Sequence, residues 1–178
     1  MRRILLAVGL IFAACGVTTA QSATAPMLTA AFLFNFARFT EWPADAPQEG
    51  PLTICVSGDP DVVSALERIV KGRPVGGRDV AAASVSGGGW RSCHVLYSTG
   101  LDDRHSQQII DELKGVPVLT VSDRERFAEQ GGIVGLFVDG GKIRFRINTE
   151  AAERARLHLS SRVLILATLV KDEAPPNL

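Results

Sequence analysis

Few residues of this 178-residue chain have the types and spacing that chemistry requires. The three histidines are His94, His105 and His158, and none belongs to an H-E-x-x-H pair that would hold a catalytic metal. No G-x-S-x-G elbow presents a serine nucleophile. No G-x-G-x-x-G follows an apolar run, and Asp139-Gly140-Gly141-Lys142 lacks the spacing and hydroxyl of a phosphate-binding loop. His94 alternates inside an apolar stretch and reads as structural, while His105 opens a polar helix and reads as solvated. The chain therefore reads as a non-enzyme, with no catalytic residue, cofactor or metal site expected.

Two places could still bind a ligand. Ser57-Gly58-Asp59 stands between an apolar strand and a helix, where α/β sheets place ligands, but Asp59 already serves as the helix cap. The other is basic: Arg156 and His158, with Arg144 and Arg146 before them and Arg162 after. Clustered guanidinium groups and an imidazole suit a phosphate or carboxylate. The alternative is a solvated basic face paired with Glu150 and Glu153.

These residues need a frame, and the hydrophobic pattern supplies one. Ala25 to Glu41 reads as a helix stopped by Trp42-Pro43, with an apolar stripe at Leu28, Phe32, Phe36 and Phe39. Phe34 and Arg38 lie off that stripe, one turn apart, followed by Glu41 and Trp42, so these four are candidate anchors for a protein partner. Strands are expected at 52–56, 80–85, 93–97, 116–121, 133–138 and 142–147. Helices are expected from Asp59-Pro60 to Gly72, over 104–113, as a short capped turn after Ser122, from Asn148 or Thr149 through Arg156, and from Ser160 or Ser161 through Leu169. Strands alternating with helices predict an α/β fold. Its sheet is mostly parallel and covered by helices on both faces, with an antiparallel hairpin turning at Asp139-Gly140-Gly141 near the C-terminal end.

Charge and leader narrow the classes. Nineteen Lys and Arg balance nineteen Asp and Glu, which argues against a nucleic-acid binder. Arg2-Arg3, an apolar run from Ile4 to Ala14 and small residues to Ala20 form a secretory signal, expected to be cleaved after Ala20. The rival reading is a lipoprotein box with Cys15 lipidated. Three regions are therefore expected: the signal 1–20, one domain over 21–171, and a flexible tail 172–178. Of three cysteines, Cys15 leaves with the signal, and the remaining Cys55 and Cys93 read as a disulfide in an exported protein. Two buried free thiols are the alternative, and zinc finds too few ligands.

One family shares these blocks in order. Ala30-Ala31-Phe32-Leu33-Phe34-Asn35-Phe36-Ala37-Arg38-Phe39-Thr40-Glu41-Trp42-Pro43 resembles the opening helix of the YfiR family. Ile54-Cys55-Val56-Ser57-Gly58-Asp59, Cys93-His94-Val95-Leu96, Leu119-Thr120-Val121-Ser122-Asp123, Gly131-Gly132-Ile133, Ile143-Arg144-Phe145-Arg146-Ile147-Asn148 and Leu159-Ser160-Ser161-Arg162-Val163-Leu164 follow in register. The resemblance covers residues 27–170. It implies a periplasmic repressor that binds the periplasmic sensor domain of an inner-membrane diguanylate cyclase, lowering cyclic di-GMP and biofilm formation. It further implies sequestration by an outer-membrane YfiB-like lipoprotein, a family disulfide at Cys55 and Cys93, and small anionic ligands at Arg156 and His158. A second disulfide known in the family has no cysteines here to form it. A small-ligand sensor is the alternative function, and a homodimer is left open.

Overall fold

The structure is a computed structural model that describes residues 24–46 and 49–173. The expected signal, with Cys15 and Ala20, lies outside the described residues, as do residues 174–178 of the tail.

Helix α1 (Ala25–Arg38) opens with a proline in its first turn and ends when Phe39 leaves helical backbone (φ −112°, ψ 15°). The Thr40 hydroxyl donates to the Phe36 carbonyl at 2.8 Å and closes that end. The helix therefore stops three residues before Glu41, because Thr40–Glu41 form strand β1 instead. Its buried face is also not the expected stripe. Ala30, Leu33, Phe34, Phe36 and Ala37 are buried, whereas Leu28 is exposed and Phe32 and Phe39 are half-buried.

Strand β2 (Leu52–Ser57) leads into α2 (Pro60–Val70), where Asp59 caps as its sequence predicts, its carboxylate accepting from the Asp61 and Val62 amides. Then come β3 (Val80–Ser84), a single 3-10 turn at Trp90–Ser92, β4 (Val95–Ser98), α3 (Asp103–Leu113) and β5 (Leu119–Ser122). Strands β6 (Val134–Asp139) and β7 (Lys142–Asn148) form the expected hairpin, with Gly140 and Gly141 at positive φ. Helix α4 (Thr149–Arg154), β8 (His158–Leu159), α5 (Ser161–Leu164) and β9 (Thr168–Val170) complete the order.

The sheet runs β3-β2-β4-β5-β6-β7-β9 and is parallel except between β6 and β7, while β1 and β8 make a separate antiparallel pair. Alternation along the parallel strands splits the core. Ile54, Val56, Val95, Tyr97, Leu119 and Val121 pack with α1 and α2 in one cluster. Cys55, Leu96 and Val118 pack with Ile109 and Leu113 of α3 in the other. Helices thus cover both faces, which is why these strands read as near-continuous apolar runs.

Three local expectations are corrected. Cys93 and His94 precede β4 rather than lie in it, Cys93 following directly on the 3-10 turn. No helix follows Ser122. The Ser122 hydroxyl donates to the Ser98 carbonyl and accepts from the Arg124 amide two residues on, and the chain proceeds through turns to Gly131. The last helix ends at Leu164, and Thr168–Val170 pair with β7 as an outer strand, so the hairpin is not at the sheet's edge. Thr and Val suit that strand better than a helix end. Beyond β9 the Glu173 amide donates to the Glu129 carbonyl, Arg126 pairs with Glu173, and Asp172 pairs with Arg154 at 2.9 Å.

Candidate functional site

The β1–β8 ladder brings together the two segments singled out for binding. Thr40 pairs with Leu159 and Glu41 with His158, so the end of α1 lies beside the connection between α4 and α5. Arg156 occupies that connection at φ +57°, a left-handed conformation uncommon for a non-glycine residue. Its guanidinium reaches Asp45 Oδ2 at 2.6 Å, and that hydrogen bond holds the Asp45 carboxyl below the ordinary carboxylate range.

The four basic ligand candidates do not share one depression. Arg146 lines a cavity of about 290 Å³ beneath the β5–β6 connection, pairs with Glu129 at 3.2 Å and lies 4.1 Å from the Phe137 ring centre. His158 lines a smaller hollow with Glu153 and Leu164. Arg162 lines a third, and Arg156 is engaged by Asp45. The basic groups expected to share one anion are therefore dispersed over several walls.

The partner candidates separate by burial. Phe34 is only 5% exposed and belongs to the core, so it is corrected from surface anchor to packing residue. Arg38 and Glu41 are exposed and Trp42 half-buried. The Arg38 guanidinium lies over the Phe34 and Phe39 rings at 5.9 and 5.5 Å. The Trp42 ring meets the His94 ring edge-on at 5.8 Å, and His94 Nδ1 accepts the Thr53 amide proton at 3.1 Å, the structural role expected of this buried histidine. His105 is exposed and pairs with Asp102 at 2.7 Å.

Between these segments runs a groove of about 250 Å³ that sequence reasoning missed. Its floor is Phe32, Phe36, Phe39 and Phe145, with Arg162 and Leu166 on the rim. Phe36 and Phe145 meet edge-on at 5.1 Å, and Phe32 and Phe145 at 5.9 Å. The alternation of β7 places Phe145 on a buried face, but which helix it would meet is set by topology alone. Ile165 and Leu166, expected inside a helix, are instead 82% and 72% exposed beside this groove.

At the carboxyl ends of β2 and β4, Gly58 (φ +101°) packs so closely that a Cβ would collide with the Thr99 carbonyl. The Thr99 hydroxyl donates to Asp123 at 2.7 Å. Burial, and then the Asp123 charge, push the Tyr97 phenol far above its ordinary pKa. At the Ser57-Gly58-Asp59 mouth, Thr99 therefore closes over Gly58. Cys55 and Cys93 form the expected disulfide, with Cα atoms 5.8 Å apart. Among the described residues no His, Cys, Asp or Glu cluster could hold a metal, and no helix is long and apolar enough to cross a membrane.

A mostly parallel seven-stranded sheet sheathed by helices, with a separate antiparallel pair of short strands, defines a mixed α/β protein. Residues 27–168 match the YfiR/HmsC-like family, and the chain belongs to that family. Among solved structures it is similar to a conserved domain protein from Vibrio cholerae O1 biovar El Tor str. N16961, with a TM-score of 0.51 and 14% identity. That match covers 82% of this chain and 60% of the other, so the chain spans less than two thirds of the neighbour's length. At this identity the likeness is one of fold.

Proposed function

We propose that this protein is a periplasmic regulatory binding protein that represses an inner-membrane diguanylate cyclase by binding its periplasmic sensor domain. The observation that carries this reading is the YfiR/HmsC-like match, which runs through almost the whole described fold. Periplasmic residence draws support from the signal-like residues 1–20 and from the Cys55–Cys93 disulfide. An outer-membrane YfiB-like lipoprotein is a second partner under the same reading. The competing small-anion sensor has less support, because the basic side chains lie in different depressions.

A binding protein without catalysis acts only by preferring one state of its target. Moving a cyclase from mostly active to mostly inactive takes a preference of about 5.5 kcal/mol. Interfaces of that strength use a desolvated apolar centre with aromatic and arginine anchors, and the α1–β8 region offers Arg38, Glu41 and Trp42 beside an apolar groove. The direct test is calorimetry between the mature protein and the periplasmic domain of a membrane diguanylate cyclase from the same organism. A one-to-one complex of micromolar or tighter affinity is expected, and no heat at any concentration overturns the assignment.

A further inference from the structure

Strand β7 has seven residues, but β9 covers only the last three, pairing with Arg146, Ile147 and Asn148. On that side Lys142–Phe145 have no strand partner in register, and among the described residues no backbone hydrogen bond from a turn or loop reaches them. Such an edge is a template for pairing unless it is covered. The phenylalanine groove opens beside it, since Phe145 belongs to both. Leu166 lines the groove, and it and its neighbour Ile165 are the most exposed large apolar residues after α1 apart from Val138, which lies on the adjoining hairpin.

The charges around this edge indicate its occupant. Arg162 on the groove rim and Arg38 over Phe39 make no ion pair among the described residues, nor does Lys142 at the start of the open edge. Arg144 already leans on Asp139 at 2.9 Å. A second copy paired edge to edge would bring the same cations face to face, which opposes pairing. A partner with carboxylates meets them favourably.

We infer that the open half of β7 and the phenylalanine groove accept an extended segment of a partner protein. That segment adds a strand beside Lys142–Phe145, seats an apolar side chain on Phe32, Phe36, Phe39 and Phe145, and turns a carboxylate to Arg162. Main-chain pairing supplies affinity in this mode and the alternate side chains supply specificity. The inference rests on the binding function proposed above and adds to it the site and the chemistry of the partner.

Photo-crosslinking in the native periplasm tests this, with benzoylphenylalanine in place of Leu166 and, as a control at the end of α2 toward the opposite, β3 end of the sheet, in place of Lys71. The expected result is an adduct from position 166 that contains an acidic, apolar stretch of another protein. Its yield falls at least tenfold in Arg162→Glu and returns when one carboxylate of that stretch is changed to arginine. An adduct with a second copy, equal adducts from both positions, no adduct, or no recovery in the charge swap overturns the inference. Arg162→Glu is accepted only with unchanged circular dichroism and an intact Cys55–Cys93 bond, and Leu166→Glu provides a second variant expected to bind as weakly. A captured partner that is neither a membrane cyclase nor a YfiB-like lipoprotein would remove the proposed function and leave this surface standing, so the two failures are distinguishable.

Discussion

Arg156 closes on Asp45 at 2.6 Å across 111 residues of sequence, tying the connection after α4 to the loop between β1 and β2. The pair explains how a left-handed arginine is held at a place where the sequence suggested a free cation. It also sets up competition, since an anion taken by Arg156 must displace a carboxylate already in place.

That pair has a pH signature. Asp45 has its carboxyl lowered chiefly by the Arg156 hydrogen bond. A carboxyl lowered on folding stabilises the native state above its unfolded pKa, about 3.9, and the contribution disappears as pH falls through the folded value. Asp45→Asn should therefore lower the thermal midpoint slightly, by a constant amount from pH 5 to 8. The two melting curves should converge below about pH 4. The offset is small because the pair is exposed and screened. Differential scanning fluorimetry across that range checks it, and an offset that widens in acid would contradict it.

The disulfide joins β2 to the turn entering β4 and closes 38 positions of chain. Chain-entropy arithmetic for a loop of that length gives about 4 kcal/mol. Denaturant unfolding of the protein in reductant, or of Cys55→Ser, should lose about 2 to 4 kcal/mol while keeping the same fold. Coincident midpoints with and without reductant would show that the bond adds nothing to the parallel pairing of β2 and β4.

Asn148 is fully buried and carries three contacts at once. Its carbonyl oxygen caps α4 on the Ala151 amide at 2.9 Å, and its amide donates to the Ala128 carbonyl at 2.8 Å and to Asp172. Asn148→Ala uncaps the Ala151 amide and takes one of two donors from the Ala128 carbonyl, which keeps the Gly131 amide, while Asp172 keeps Arg154; a cost of about 1 to 2 kcal/mol is expected, chiefly from the lost cap. Urea titration measures it. A loss under about 0.5 kcal/mol would mean that water replaces the side chain at no cost.

The sequence carried the parallel sheet, its helical cover and the hairpin because the buried strands and the caps are local signals. Asp59-Pro60 and Asp139-Gly140-Gly141 each act within a few residues, and each does in the structure what its chemistry requires. The failures share a cause of their own. Ile165, Leu166 and Leu169 have helical spacing, yet Thr168–Val170 become a strand because β7 offers them an edge more than twenty residues upstream. Phe34 stood off the chosen stripe, but α1 buries Ala30, Leu33, Phe34, Phe36 and Ala37 in one core cluster, a wider face than a single stripe assumes. The phenylalanine groove joins α1 to Phe145, over a hundred residues away, and no local pattern encodes that meeting. The basic cluster was legible as composition, whereas its dispersal among several walls follows from topology.

Repression is the claim on which the functional account stands, and cyclic di-GMP in living cells reads it most directly. Deleting the gene should raise the cellular level severalfold, and supplying the intact gene with its leader should bring it back. An unchanged level in the deletion strain, under conditions where the cyclase is expressed, would contradict repression.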